Sequence, residues 1–390
     1  MTTQTLDEAV TWKDDKRYQW PLGILVMLFP MFSGLLAMEY GLPFFWWFTP
    51  FFLFVLIPFL DWLNGEDQSN PPESIVPQLE KEKYYRFLVY GAAAGLYVTL
   101  PWGAWMLAHG GLAWHEMMGL TVSLGVITGI SINTAHELGH KSSPFERFLA
   151  KLALAPSMYG NFFVEHNRGH HVRVATPEDP ASSRFGESLW EFIPRSMVGA
   201  HRSCWELEKK RLARLGKGPW HWQNDNLQAW SMTVVLFGGL TAWLGWMILP
   251  LLIVQGTIGW MLFETVNYLE HYGLRREKLE SGRYERCQPH HSWNSNHRIS
   301  NLALYQLQRH SDHHAHPTRS YQALRHFDGV PELPNGYAAM VPLATIPPLW
   351  FWLMDKRVVA HYKGDMTKAN IKPSIRDKVI AKYTPDAVDA

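Results

Sequence analysis

Uncharged stretches alternate with polar segments along the chain. Four stretches of 17 to 21 residues contain no charged residue, close to the ~20 that an α-helix needs to cross ~30 Å of hydrocarbon. A fifth, residues 227–263, would form a helix of about 55 Å, so we predict two helices joined by a turn near Gly245 to Pro250. The predicted spans are residues 22–38, 41–60, 87–107, 117–135, 227–246 and 250–270.

The alternative to six membrane spans is a soluble protein with a helical core. The mean hydropathy of −0.16 agrees with that alternative, but the average hides apolar blocks separated by polar segments. So many separate uncharged blocks are hard to bury in a chain of 390 residues. The pattern therefore predicts an all-α integral membrane bundle of six transmembrane helices, with long polar segments at residues 141–226 and 272–390.

Lys and Arg are distributed unevenly over the two sides of this topology. The loops after the first, third and fifth spans contain Glu39 and Glu116 but no Lys or Arg. The other side carries Lys13, Lys16, Arg17, Lys81, Lys83, Arg86 and the basic run from Lys141 to Lys217. Because basic loops stay inside, we expect both termini and both long polar segments in the cytoplasm. The net charge of +1 does not indicate a nucleic-acid partner.

Histidines are concentrated in a few stretches, although the chain has 19 in total. The stretches are HELGH at 136–140, EHNRGHH at 165–171, NYLEHYG at 267–273 and QRHSDHH at 308–314. The first and third end the predicted fourth and sixth spans, and the other two lie in the long polar segments. All four therefore fall on the side that the basic residues mark as cytoplasmic, a result obtained without counting histidines.

The spacing within these stretches is suited to metal binding. Residues at i and i+4 project from one face of a helix, so their imidazoles can converge on one ion. The pairs at this spacing are His136 with His140, His166 with His170, and His310 with His314, with His313 one turn from His310. Adjacent histidines, His170/His171 and His313/His314, point about 100° apart on a helix. Adjacent pairs suit two metal ions, because each histidine can serve a different one.

Other readings of the histidines remain open at this point. Imidazole binds iron, zinc and copper alike, so ligand type does not identify the metal. HELGH also matches the zinc-protease pattern HExxH, with Glu137 as general base, but that pattern leaves the other clusters unexplained. A metal transporter would carry ionisable ligands at the middle of its spans, whereas these lie at one end. His271 taken alone resembles an ordinary core histidine.

With these motifs the sequence resembles the alkane 1-monooxygenase family of bacterial membrane hydroxylases. The resemblance covers most of residues 1–390, read as a single hydroxylase/desaturase-like membrane domain, and includes the connecting strings 175–187 and 290–296. Membrane desaturases and sterol hydroxylases share only the general plan of three histidine boxes, and a desaturase or another hydroxylase is the closest alternative. The motif at 267–274 is the more specific part.

The resemblance implies a bacterial inner-membrane enzyme with two non-haem iron ions that activate O₂. It implies hydroxylation of medium-chain n-alkanes to 1-alkanols, with electrons from rubredoxin and a rubredoxin reductase upstream. The two cysteines form no CxxC motif, so the rubredoxin would be a separate protein. The metal ligands carried over from the family are His136, His140, His166, His170, His171, His271, His310, His313 and His314.

Three further expectations concern the surroundings of the metals. Carboxylates beside the ligands, Glu137, Glu165, Glu270 and Asp312, are candidates to orient imidazoles through hydrogen bonds. An alkane must be bound by an apolar tunnel at ~0.8 kcal/mol per buried CH₂, with candidate walls Phe44, Phe45, Trp46, Trp47, Phe51 and Phe52. A basic surface for the acidic donor could be formed by Arg168, Arg173, Arg202, Lys209, Lys210 and Arg211.

Overall fold

The computed structural model describes residues 12–384, and over this range the regular secondary structure is helical, with only isolated β-bridges. Six helical segments are long and apolar enough to cross a membrane, which confirms the predicted number. They are Leu22–Tyr40, Pro43–Asn64, Lys83–His109, Trp114–Gly139, Asp225–Leu244 and Ile248–His271. We refer to them as the first to sixth spans.

Further helices connect and follow the spans. Those of six residues or more are Val76–Lys81, Pro144–Leu154, Leu189–Ala213, Arg298–Ala303, His310–Ala315, Tyr337–Ala344, Pro347–His361 and Arg376–Tyr383. Single turns are Ala155–Ser157, Phe162–Glu165, His166–His170, His171–Arg173, Pro289–His291, Tyr321–Ala323, Met366–Lys368 and Pro373–Ile375. The helix Pro144–Leu154 is amphipathic, with Phe145 and Phe148 exposed and Leu154 buried.

Local sequence explains two irregularities of the spans. The fifth span ends at Leu244 because Gly245 adopts φ +91°, a conformation that favours glycine, and the sixth begins at Ile248. This is the predicted hairpin. The second span is not a regular α-helix, since it starts as a 3₁₀ turn at Pro43 and contains a π turn at Phe52–Leu56. Pro58 follows that turn and lacks the N–H that would close the α-helical hydrogen bond.

The fourth and sixth spans approach each other closely because small residues lie between them. A Cβ atom added to Gly129 would lie 2.8 Å from the carbonyl oxygen of Gly259. Thr128 Oγ1 also donates a hydrogen bond of 2.8 Å to Gln255 across this contact. Small residues allow such backbone contact between helices in lipid. The packing holds the two C-terminal ends, which carry His136 and His271, side by side.

Contacts at the histidine end join segments that the topology places on one side. Lys16 Nζ lies 2.5 Å from Asp67 Oδ2, which links the approach to the first span with the loop after the second. Asp61, at the end of the second span, accepts a hydrogen bond of 2.5 Å from Ser300 Oγ. The segments predicted to share a side with the histidine clusters are therefore packed together.

The stretch 337–354 is predicted from its prolines as a broken interfacial or re-entrant element. It consists of the end-to-end helices Tyr337–Ala344 and Pro347–His361, which break at Thr345 and Ile346. Tyr337, Met340 and Trp350 are buried, and the first of these helices packs against the sixth span. The break before Pro347 agrees with the prediction, whereas Pro342 lies inside the first helix. The depth of this element in the membrane stays a prediction.

Candidate metal centre

Nine histidines from the four sequence stretches meet at one end of the bundle and separate into two groups. Within each group, one ring nitrogen per histidine lies within 4.8 Å of the others. The five-histidine group is His136, His140, His166, His171 and His313. The four-histidine group is His170, His271, His310 and His314. All nine histidines expected from the sequence are therefore brought together, including the isolated His271.

The five-histidine group is built from Nε2 atoms that face one another. The Nε2–Nε2 distances are 2.9 Å for His136–His313, 2.9 Å for His166–His171, 3.1 Å for His171–His313 and 3.2 Å for His140–His166. A neutral imidazole has one N–H and one lone pair, so a ring of facing nitrogens cannot pair them all. A cation at their centre would accept every lone pair, and the arrangement therefore fits a metal ion.

The four-histidine group has the same inward arrangement. His314 Nε2 lies 2.8 Å from His310 Nε2 and 3.3 Å from His170 Nε2. The ring of His271 packs between those of His170 and His310 and is fully buried. Neither ring nitrogen of His271 has a hydrogen-bond partner within residues 12–384. A buried imidazole with no partner is costly, and a metal ion would remove that cost.

The observed grouping differs from the expected pairing in two respects. His166 joins His171 instead of His170, and His310 joins His314 but not His313. The reason for the first difference is a π turn over His166–His170, which places residues five apart, rather than four, on one face. The adjacent pairs do divide between the groups, as the spacing predicts for two ions.

Burial prepares these imidazoles to act as ligands. It lowers the pKa of His166 and His313 in one group, and of His310 and His314 in the other, well below the usual value. Each ring is therefore neutral at physiological pH, with a lone pair available to a metal without loss of a proton. Only His140 and His171 are partly exposed, so the five-histidine group is the one nearer to solvent.

Three of the four expected carboxylates do not contact a ligand ring through a hydrogen bond. Glu137 pairs with Lys141 at 2.8 Å, and Glu165 pairs with Arg173 at 2.5 Å. Asp312 accepts hydrogen bonds from His316 and Arg319, neither of which belongs to a group. Proximity in sequence did not translate into a hydrogen bond with a ring, because each carboxylate is paired with a lysine or arginine.

Glu270 does contact a ligand ring, but on the inner side. Its Oε2 lies 3.1 Å from His310 Nε2, the nitrogen that also faces His314. Its other oxygen accepts a hydrogen bond of 3.0 Å from the hydroxyl of Tyr337. The carboxylate is thus aimed at the space that a metal would occupy, instead of holding an outer nitrogen as expected.

Asp179 performs the orienting role and was missed in the sequence. Its Oδ2 lies 2.9 Å from Nδ1 of His170 and accepts a hydrogen bond of 2.6 Å from Ser182. Burial alone would raise the pKa of this carboxyl, but His170 and Ser182 outweigh it and lower the pKa to about 2. An ionised Asp179 fixes the His170 ring with Nε2 turned inward. Its position within the family string 175–187 was the available signal.

Replacing Asp179 by Asn should weaken metal binding at the four-histidine group. The amide keeps the shape but loses the charge that holds the ring, and loss of such a partner costs about 10–100-fold in metal affinity or activity. Competition with a chelator, followed by metal analysis, measures the change. Glu178→Gln is the matched control, because Glu178 is exposed and adjacent. Equal metal retention in both variants would contradict the role of Asp179.

A third cluster, formed by Glu285, His290 and His291, is explained without a metal. Nδ1 of His291 accepts a hydrogen bond of 2.9 Å from the backbone N–H of Gln288. Burial lowers the pKa of His291 to about 3, so the neutral ring carries its proton on Nε2. That proton is donated to Glu285 at 3.2 Å, which leaves His291 without a lone pair for an ion.

An apolar cavity lies beneath the histidine groups. Its walls include Phe54, Ile130 and Leu262 from the second, fourth and sixth spans, and it is almost free of polar surface. It reaches the groups through Asn133, one turn before His136, and Tyr337, the partner of Glu270. None of the six aromatic residues expected as walls lines it. Phe44, for example, is exposed, and Trp46 packs in the core.

The expected basic surface is largely neutralised by its own neighbours. Arg168 pairs with Glu208 and, at 2.6 Å, with Asp225. Arg211 also pairs with Glu208, and Arg173 pairs with Glu165 as described above. Of the six candidates, Arg202 and Lys210 remain exposed without an ion pair among the described residues. The partly exposed His171 and the exposed Val172 mark another approach to the centre.

Comparison with known proteins identifies close relatives over nearly the whole length. Residues 112–344 match the family model described as fatty acid desaturase. An alkane 1-monooxygenase of Pseudomonas putida is 46% identical, over 98% of this chain and 95% of that protein. Alkane 1-monooxygenase 1 of Alcanivorax borkumensis is 47% identical, over 95% and 92%. The enzyme of Acinetobacter baylyi is 48% identical, over 86% and 82%.

Proposed function

Because the chain belongs to the alkane 1-monooxygenase family, we propose that it hydroxylates the terminal carbon of medium-chain n-alkanes at two histidine-held iron ions. The protein is an integral membrane monooxygenase, and O₂ is its second substrate. The single observation that carries the proposal is the division of nine histidines, seven of them buried, into two inward-facing groups directly above an apolar cavity.

Each group of residues has a separate task in this reaction. Two bound iron ions would supply the redox chemistry that reduces O₂ and places one of its atoms in a C–H bond. The five- and four-histidine groups would hold them, Asp179 orients His170, and Glu270, which lies beside His310, would be ionised next to a bound ion. The two groups are not equivalent: among the described residues, a carboxylate lies within 4 Å of a ring nitrogen only in the four-histidine group.

The apolar cavity supports the assignment of an alkane substrate. Binding a chain without polar groups depends on area removed from water, at ~0.8 kcal/mol per buried CH₂. The walls offer aliphatic and aromatic surface from three spans, and the cavity ends near Asn133 and Tyr337 below the groups. A terminal carbon at that end would lie closest to the metals. A substrate dissolved in lipid also suits a site enclosed by spans.

Electrons must reach the centre from outside the bundle. We assign rubredoxin as the separate donor, with its reductase upstream, and place the histidine end in the cytoplasm of a bacterial inner membrane. The basic residues on that side support the orientation. The partial exposure of His140 and His171 supports electron entry at the five-histidine group. Arg202 and Lys210 are the free basic residues available to an acidic partner.

Product analysis tests the proposed reaction. The purified protein, supplied with rubredoxin, rubredoxin reductase, NADH and octane, should form 1-octanol and consume O₂ in step with it. Formation of an alkene would identify a desaturase instead, which is the other activity associated with this architecture. A control without rubredoxin should form no product. Absence of any oxygenated product in the complete system would contradict the proposal.

A further inference from the structure

A second cavity, lined largely by polar side chains, meets the metal centre from another side. It lies between the sixth span, the helix Leu189–Ala213 and the segment around residues 159–170. His166 and His170, one from each histidine group, form part of its wall. Phe162 packs edge-to-face on Phe263 with ring centroids 4.9 Å apart, and this pair separates it from the apolar cavity.

Unpaired polar atoms converge on this cavity. Both amide atoms of Asn161 and Oε2 of Glu264 have no hydrogen-bond partner within residues 12–384, although both side chains are fully buried. About 10 Å³ is open to the centre of a water molecule, close to the ~10–15 Å³ that one ordered water requires. Buried polar groups are normally paired, so a bound water accounts for both the space and the unpaired atoms.

Glu264 is the ionisable group of this cavity that lies inside a membrane span. The Tyr159 hydroxyl donates to its Oε1, and Asn267 Nδ2 lies 3.4 Å from the same atom. No lysine or arginine within the described residues pairs with it. A carboxyl group without a cation is kept neutral by the cost of burying its charge. Ionisable residues within spans commonly serve in proton transfer.

The proposed reaction requires protons at this place. Hydroxylation combines O₂, R–H, two electrons from the donor and two protons to give R–OH and water, with one C–H bond broken and one C–O bond formed. The apolar cavity offers almost no polar surface from which protons could come. The second cavity has carboxyl, hydroxyl and amide groups in its lining, and one of them, Glu165, is paired with the partly exposed Arg173.

We propose that Glu264 is a proton-relay residue, which passes protons through a water molecule held by Asn161 to the face formed by His166 and His170. The inference rests on the proposed hydroxylation, which consumes the protons. Groups that face Glu264 from the packed elements are Tyr159, Glu165, His170 and Ser196. The alternative is structural: the hydrogen bond from Tyr159 could simply fasten the segment before residue 162 to the sixth span.

Turnover of four variants separates relay from packing. Glu264→Gln keeps the shape but cannot pass a proton, so kcat should fall at least ~10-fold with the KM for octane unchanged. Glu264→Asp should retain more activity than Glu264→Gln. Tyr159→Phe removes the hydrogen bond but keeps the carboxyl, and should stay within about threefold of wild type. Thr265→Val, a buried neighbour bonded only to its own helix, is the control. Equal losses in Tyr159→Phe and Glu264→Gln would overturn the relay.

Infrared spectroscopy of the purified protein in nanodiscs gives a readout that does not depend on turnover. Wild type should show a protonated-carboxyl band that Glu264→Gln removes and Tyr159→Phe only shifts. Transfer to D₂O should shift this band, because a relay exchanges its proton with solvent. A Glu264 band that stays unshifted in D₂O, or the absence of any such band, would overturn the relay. If the wild-type protein itself formed no 1-octanol, the proposed function would be refuted instead of the relay.

Discussion

His271→Ala should remove the metal ion of the four-histidine group and lower hydroxylation by at least about a hundredfold. His271 is fully buried between His170 and His310, and neither of its ring nitrogens is paired within residues 12–384. Its role is therefore difficult to explain by packing alone. Iron content and 1-octanol formation measure the two effects, and the iron content should fall by about half.

His316→Ala is the matched control for this substitution. His316 follows the same histidine-rich motif, but it is half exposed, bonds to Asp312 and belongs to neither group. This variant should keep its iron and its activity. Membrane insertion of both variants, followed by detergent extraction and size-exclusion chromatography, excludes misfolding. A His271→Ala protein that retains wild-type turnover would show that this histidine is an ordinary core residue.

Glu270→Gln should weaken the same metal site about 10–100-fold. The amide can still accept the hydrogen bond from Tyr337, but it brings no negative charge to the inner side of His310. Chelator competition measures the affinity, and turnover with octane should fall with it. The result would show that this carboxylate acts at the metal side of the ring.

Two comparisons define the contribution of the Glu270 charge. Tyr337→Phe removes the hydroxyl that bonds Glu270 and leaves the carboxylate in place, so it should retain most of the metal. Glu280→Gln neutralises an exposed carboxylate ten residues further along the chain and should have no effect. If Tyr337→Phe and Glu270→Gln lost metal equally, the hydrogen bond rather than the charge would be responsible.

The spans were predictable because their physical cause is local. The thickness of the lipid hydrocarbon sets how long an uncharged helix must be to cross it. Such stretches can be read along the chain without knowledge of tertiary contacts. The doubled stretch 227–263 had to turn, and Gly245 provides the turn. The irregular second span was not predicted. Its sequence is apolar on every side, so it shows no periodicity that would distinguish α, 3₁₀ and π turns.

The membership of the two histidine groups was predicted better than their internal order. Adjacent histidines point to different sides of a helix, so His170 and His171 were expected to fall in different groups, and they do. The partner of His166 depends instead on whether the turn is α or π, which spacing does not reveal. Asp179 lies nine positions after His170 in the chain, and a contact at that separation is set by tertiary structure.

The substrate walls and the donor surface show the same limit. Phe44 and Phe54 are both phenylalanines of the same aromatic-rich span, yet only Phe54 lines the cavity. Which face turns inward depends on the irregular helix and on its neighbours. Likewise, the sequence does not show that Arg168 and Arg211 both form ion pairs with Glu208. Composition predicts which residues could form the cavity wall or the donor surface. Packing decides which of those residues are exposed and unpaired.

Metal analysis of the purified wild-type protein is the most direct test of two histidine-held iron ions. Mass spectrometry of the metals, combined with quantitative protein determination, should give about two irons per chain, one for each histidine group. Histidines and not cysteines should hold these ions, since both cysteines lie outside the groups. One zinc per chain with no iron would contradict the proposed centre.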